Sequence, residues 1–126
     1  MGGKESPMTK PMNIEELIEN VRAWGVARNI TGPTGKGTLL GQLAKTQEEL
    51  TETRDAAVLL LNADNFEDHK RSLDELADGY GDQVVTIILG CEMAGLRFED
   101  CLQAAYDEIK GRTGTMQGGV FVKDAP

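Results

Sequence analysis

The run "VVTIILGCEMA", Val84 to Ala94, constrains this chain more than any other segment. It is apolar nearly all round at helical spacing, and Gly95 follows it as a stop. A helix without a polar face is expected to be buried. The same helical pattern reaches back to about Ser72 and opens acidic, in "DELADGYGDQVV". At about 100° per residue, Glu75, Asp78 and Asp82 share a wedge roughly 60° wide that continues into Val85, Thr86 and Leu89. The acidic end of a buried helix points into protein or into a cleft, where unpaired carboxylates repel each other and lose solvation. Between Ser72 and Ala94 the chain holds no Lys or Arg to neutralise them. A hard divalent cation fits that need, because Mg²⁺ takes oxygen ligands and acids at i, i+3 and i+4 on facing helices converge in a bundle. The bland reading is a set of solvated acids near a helix N-terminus, where they favour the dipole.

Three more helical patterns surround this one. "NIEE" sets Asn13 as an N-cap with Glu16 three residues on, and Ile14, Leu17, Ile18, Val21 and Trp24 then recur at helical spacing to about Arg28. Leu39, Leu40, Leu43, Leu50, Ala57, Val58 and Leu61 form one stripe of a long second helix ending near Asn62. Opposite that stripe, Lys45, Glu48, Glu49 and Glu52 fall in one wedge about 100° wide, a pattern that is ordinarily just a solvated face. Phe98, Cys101, Leu102, Ala105 and Ile109 mark a fourth, amphipathic helix. Nothing alternates with period two except "GVFVK" near the end. The expectation is an all-α, four-helix bundle over residues 13–126, with residues 1–12 a disordered leader and residues 111–126 an irregular Gly-rich tail.

Of 126 residues only 5% are aromatic, so the core must be Leu, Ile, Val and Ala, and aliphatic stripes on long helices favour completion by a second subunit. A formal charge of -8 argues against a nucleic-acid polymer as partner. The longest apolar stretch is too short to span a bilayer and no signal-peptide pattern opens the chain, so a cytoplasmic protein is expected. Cys91 and Cys101 then read as reduced thiols filling core space, and His69, in "NFEDHKRS", as a surface residue. The glycine cluster "TGPTGKGT" is not a phosphate loop: Lys36 is followed by Gly37, and the first-glycine position holds Ile30. It reads as an ordinary turn.

"QLAKTQEELTE", followed about two dozen residues later by "DELADGYGDQVV", resembles the E-E-x-x-E and E-x-x-D signature of the MazG-like, all-α nucleoside triphosphate pyrophosphohydrolases. The tail "CLQAAYDEIKGRTGTMQGGVFVKD" is similar to that of small phage and bacterial members. The resemblance implies Mg²⁺-dependent (Mn²⁺ as the alternative) hydrolysis of a (d)NTP to (d)NMP and pyrophosphate, in a homodimer or homotetramer. The first motif falls on Glu48, Glu49 and Glu52; the second falls on Glu75 and Asp78, or on Asp78 and Asp82 through "DGYGD". Glu48 is the first choice for activating water, the other five being metal ligands. Lys45, Lys110, Arg112 and Lys123 are the candidates for phosphate charge, the tail folding over bound nucleotide. Trp24 and Gln42 are candidate base contacts. Gly79 and Gly81, poor helix formers, put the geometry of the second motif in doubt. Two other readings stand beside this one: a superfamily member specific for dUTP or a phosphoribosyl nucleotide, and a non-catalytic acidic helical module that binds a partner protein.

Overall fold

The computed structural model describes residues 10–125 and is mostly helical. The leader expected over residues 1–12 lies, for residues 1–9, outside that range; Lys10 to Met12 are exposed and irregular. Helix α1 is Ile14–Ala27, α2 Leu39–Leu61, α3 Phe66–Met93 and α4 Phe98–Ile109, followed by strands β1 (Gly114–Gln117) and β2 (Val120–Lys123). The capping box at Asn13 forms, its Oδ1 accepting from Glu16 N at 2.8 Å while Asn13 N donates to Glu16 Oε1 at 3.1 Å. Gly95, at φ 74°, ends α3. The "TGPTGKGT" segment is a turn-rich connection, and Thr38 caps α2 by accepting from Gly41 N.

Two expectations need correction. Helix α3 starts six residues before Ser72, because Asn65 caps it by accepting from Asp68 N at 2.8 Å and the polar run "FEDHKR" is its exposed first turns. The tail is not irregular. Gly118 and Gly119 both take positive φ, 58° and 83°, which suits a two-residue hairpin turn, and Met116 pairs with Phe121 and Gly114 with Lys123 across antiparallel strands.

Among the described residues α3 packs against each of the other three helices, most extensively against α2. The α2–α3 seam runs antiparallel and is not built on the leucine stripe. Gln42, Thr46, Glu49, Thr53 and Ala56, spaced by four and three, face Gly79, Gln83, Thr86 and Gly90, spaced likewise. Thr46 Oγ1 donates to Thr86 Oγ1 at 2.8 Å, and Gln83 Nε2 donates to Thr53 Oγ1 at 2.9 Å. Gly79 sets the closest approach: a Cβ there would stand 3.1 Å from the Thr53 Cα and nearer still to its hydroxyl. Thr53 and Gly79 are both buried.

The leucines expected to form the core face solvent instead. Leu40 is 78% and Leu61 85% exposed, and among the described residues the buried hydrophobic side chains are Ile18, Ala56, Ile88 and Leu89. Val84 and Ile87, within the run expected to be buried, are at 41% and 40%. Helix α4 buries nothing fully, and Cys101 is exposed while Cys91 is half-buried. The chain exposes 9581 Å². A compact monomer of this mass exposes roughly 6,600 Å². Granting the ten terminal residues outside the described range the full area of an extended chain, roughly 1,600 Å², still leaves more than about 1,000 Å² of excess. No helix among the described residues is long and apolar enough to cross a membrane.

Charge holds α4 to the rest. Arg22 of α1, 7% exposed, reaches Glu92 of α3 with Nε at 3.1 Å, Glu99 of α4 with one terminal nitrogen, and Glu19 with the other at 2.9 Å. Hydrogen bonding from Arg22 holds the Glu99 carboxyl below the usual carboxylate range. A depressed folded-state pKa makes the Arg22–Glu99 contribution complete above the ordinary glutamate value and lost as pH falls through the folded one. Glu99→Gln is therefore expected to abolish part of the acid-induced loss of stability below about pH 4.5, read from melting temperatures across pH 3 to 7.

The two helical glycines of α3 give opposite expectations. A Cβ at Gly81 meets nothing within 4 Å, so Gly81→Ala stabilises by about 0.5–1 kcal/mol through helix propensity. Gly79→Ala forces α2 and α3 apart and destabilises by about 1–3 kcal/mol. Urea denaturation of the two variants beside wild type checks both signs.

Candidate functional site

Along one edge of the Gly79–Thr53 contact the two helices frame a cleft of about 330 Å³ lined by Glu49, Glu52, Asp55, Glu75, Asp78 and Asp82, with Gly79, Ala56 and Leu59 completing its walls. The heptad-like seam explains why these acids meet. Glu49 belongs to the seam itself and is buried, whereas Glu52 and Asp55 sit one and two turns further along its edge, opposite Asp82, Asp78 and Glu75 of the antiparallel helix. All five expected metal ligands line this one cleft. Both versions of the second motif are thus in it together, Gly79 being the close-contact residue between them rather than a break in the helix.

Asp55 is a sixth carboxylate of the cleft. The signature that the sequence resembles ends at Glu52, one turn short of Asp55, although Asp55 stands at i+3 from Glu52 and carries the same helical signal. Glu48 is a correction in the other direction. It does not line the cleft: its carboxylate is exposed and bonded to Lys45 Nζ at 2.6 Å. Hydrogen bonding with Glu48, and then its charge, raise the Lys45 pKa above the ordinary lysine value. The same ammonium lies 3.6 Å from Glu49 Oε2, so Lys45 leans over the buried carboxylate from the rim.

The carboxylates share the cleft without converging on one point. Among the described residues no three acidic, His or Cys side chains stand where they could hold one ion, contrary to the expected convergence of Glu49, Glu52, Glu75, Asp78 and Asp82 on one metal. The cause is visible in the helices: positions 49, 52 and 55 wind along α2, so each acid faces a different level of α3. The donors are nevertheless all hard oxygens, and Mg²⁺ is commonly bound by one or two carboxylates plus substrate phosphates while retaining water. That mode fits a ribbon of paired acids better than it fits a closed cage.

A second cavity, of about 490 Å³, adjoins the acidic cleft and shares Glu49 and Asp82 with it. Its walls are Trp24 and Ile30 from α1 and the following turn, Gln42 and Lys45 from α2, and Val85 and Leu89 from α3. Trp24, 44% exposed, carries Arg28 5.6 Å above its ring. The Gln42 amide reaches the Thr86 carbonyl at 3.3 Å. An aromatic face, aliphatic walls and one side-chain amide thus lie next to a row of acids.

The tail cations are elsewhere. Lys110 pairs with Asp107 at 3.2 Å and Arg112 with Glu108 at 2.9 Å, both on exposed surface of α4, and Lys123 ends β2. The hairpin packs against no helix of its own chain among the described residues. None of the three cations lines the cleft, because α4 leaves α3 at its Arg22-held first turn and carries the hairpin away. His69 is exposed on α3, as expected of a surface residue.

Comparisons with protein-family models, with curated proteins and with solved structures return no match for this chain.

Proposed function

We propose that this protein is a Mg²⁺-dependent nucleoside triphosphate pyrophosphohydrolase of the MazG-like type, acting as a homo-oligomer in the cytoplasm. The observation that carries the reading is the junction at Glu49 and Asp82, where a row of six carboxylates adjoins a cavity of aromatic, aliphatic and amide character. A nucleotide has the matching polarity along its length. Its base suits Trp24, Ile30 and the Gln42 amide, and its phosphates extend towards acids that tolerate them only with cations between.

Asp82 at the junction, with Glu52 and Asp78 along the cleft, are the residues that would hold Mg²⁺; Asp55 and Glu75 extend the row. Bound there, the metal supplies phosphate neutralisation and polarisation of the α-phosphate. The rest falls to side chains. Trp24 and Gln42 hold the base so that the α-phosphorus lies at the junction. Lys45, at the rim, donates to a phosphate oxygen. With Glu48 engaged by Lys45 outside the cleft, we assign the water-orienting carboxylate to Glu49, which is screened from solvent and faces the junction. Water attacks the α-phosphorus, the bond to the bridging α–β oxygen breaks, and pyrophosphate leaves. A substrate narrower than (d)NTPs in general would be selected in the Trp24 cavity and leaves this geometry unchanged.

Oligomerisation follows from the exposed leucine stripe and the surface excess. A standard interface needs about 800 Å² from each partner, which the excess supplies. Sedimentation equilibrium at micromolar concentration is expected to give a dimer or tetramer, and a stable monomer would remove this part of the proposal.

Asp82→Asn is the direct test of the site. The amide keeps shape and removes a negative donor, so pyrophosphate release from NTPs in the presence of Mg²⁺ should drop at least about 100-fold. Without metal its melting temperature should equal or exceed wild type, because the remaining carboxylates repel less. Wild type should gain melting temperature with Mg²⁺ and the variant little. A structural ion-pair role predicts the reverse, with the apo variant destabilised. Orthophosphate in place of pyrophosphate as the wild-type product would point to cleavage at the γ-phosphate and exclude this reaction.

A further inference from the structure

We infer that Cys91 and Cys101 are a reversible oxidation site at the α3–α4 turn, where a peroxide converts the two thiols into a disulfide that clasps α4 to α3. The inference is independent of the pyrophosphohydrolase reading. A cysteine kept to fill core space is buried, yet Cys101, in the first turn of α4, is exposed, and Cys91, near the end of α3, is half-buried. They are the two cysteines of the chain.

The turn between the helices brings them together. Leu96 N donates to the Cys91 carbonyl at 2.8 Å and Cys101 N donates to the Arg97 carbonyl at 3.1 Å, so both cysteine backbones are tied to one dipeptide. Gly95, at φ 74°, reverses the chain between them. Arg22 fixes the same junction, bridging Glu92, next to Cys91, and Glu99, two residues before Cys101. The two thiols face each other: burial pushes the Cys91 thiol above the ordinary cysteine value, and hydrogen bonding with Cys101 pushes it further. Cys91 lines an apolar cavity of about 340 Å³ with Ile87, Ala94 and Leu96, which accounts for the burial.

These surroundings divide the chemistry between the two residues. Cys101 is the thiol that a dissolved oxidant reaches, whereas Cys91 is shielded and keeps its proton. The Cys101 sulfur attacks the peroxide, the O–O bond breaks, and Cys101 becomes a sulfenic acid as the rest of the peroxide leaves as an alcohol or water. The Cys91 sulfur then attacks the sulfenyl sulfur: the S–S bond forms, the S–O bond breaks, and hydroxide leaves as water with the Cys91 proton. The peroxide gains the two electrons that the thiols lose. The new bond supplies what α4 otherwise lacks, since α4 buries nothing fully and is held by the ion pairs of Arg22. In a reducing compartment such a disulfide is transient and senses oxidant rather than building the fold.

Peptide mapping tests the site. Trypsin cuts after Arg71, Arg97 and Lys110, so Cys91 and Cys101 fall in separate peptides, 72–97 and 98–110. Treated with one equivalent of hydrogen peroxide, the folded protein should lose the mass of two hydrogens, and the two peptides should stay joined until dithiothreitol separates them. Peptide 98–110 joined to a second copy of itself, Cys101 oxidised to sulfinic acid beside a free Cys91, or two unmodified thiols would each overturn the inference. C91S should leave a sulfenic acid on Cys101 that dimedone traps, and C101S should leave Cys91 reduced at the same dose. Oxidation of Cys91 in C101S at the wild-type rate would overturn the assigned order.

The clasp has its own readout. Oxidation should raise the melting temperature of R22Q by more than it raises that of wild type, because the bond there replaces a lost contact. Equal gains would mean that the bond acts only by restricting the unfolded chain, and would overturn its role in holding α4. E99Q, which removes the same contact from the α4 side, gives this readout where R22Q does not fold.

Discussion

The contact between Gly79 and Thr53 governs the rest of this molecule. With only a hydrogen at position 79, α3 comes against the α2 backbone, and the polar seam of Thr46, Thr86, Gln83 and Thr53 closes by hydrogen bonds. Small, hydrogen-bonding residues allow a close approach that bulky leucines would prevent. Glu49 is buried by that approach, and the acids that follow it on α2 are brought level with those of α3. A larger residue at 79 would widen the cleft and separate the two halves of the site together.

Choosing this seam has a cost on the opposite face. The long second helix has one apolar stripe and one polar stripe, and the fold gives the polar one to α3. Leu40, Leu43, Leu50 and Leu61 are left towards solvent. An apolar stripe is normally the first to be buried, so its exposure in the single chain is the physical argument for a partner. Arg22 then does for α4 what apolar contact does elsewhere: one buried guanidinium joins α1, α3 and α4 through Glu19, Glu92 and Glu99. Such a junction is directional, fixing where α4 begins while leaving its far end and the hairpin unsupported by the same chain.

Helix ends were legible because they are local. Asn13 with Glu16, Gly95 after the apolar run and the Phe98–Ile109 stripe each carry their signal within a few residues, and the structure has them as read. The start of α3 was not legible from periodicity: its first turns are polar and exposed, so only the Asn65 cap announces them. The pairing face of α2 is not the one its apolar content points to, because the Thr and Gly residues at 46, 53, 79 and 86 allow the closer, hydrogen-bonded approach. Of the site, the co-location of Glu49, Glu52, Glu75, Asp78 and Asp82 could be inferred from wheels on two helices. Asp55 carried the same signal but lay beyond the motif. Glu48 could not be excluded in advance, because its removal from the cleft depends on the rotamer that pairs it with Lys45.

That pairing also bears on how the site would respond to charge. Lys45 sits between an exposed carboxylate at 2.6 Å and a buried one at 3.6 Å, and only the second faces the cleft. On the proposed reaction an approaching phosphate would compete with Glu48 for the ammonium, and the exposed Glu48 can return to water at little cost. Glu49 has no such outlet, since the seam holds its helix position and its side chain is 11% exposed. The two adjacent glutamates of "QEEL" thus differ in role through burial alone: Glu48 tunes how tightly Lys45 is held, and Glu49 faces whatever enters. Removing Glu48 would release the lysine without altering the cleft, whereas removing Glu49 would alter both the seam and the junction of the two cavities.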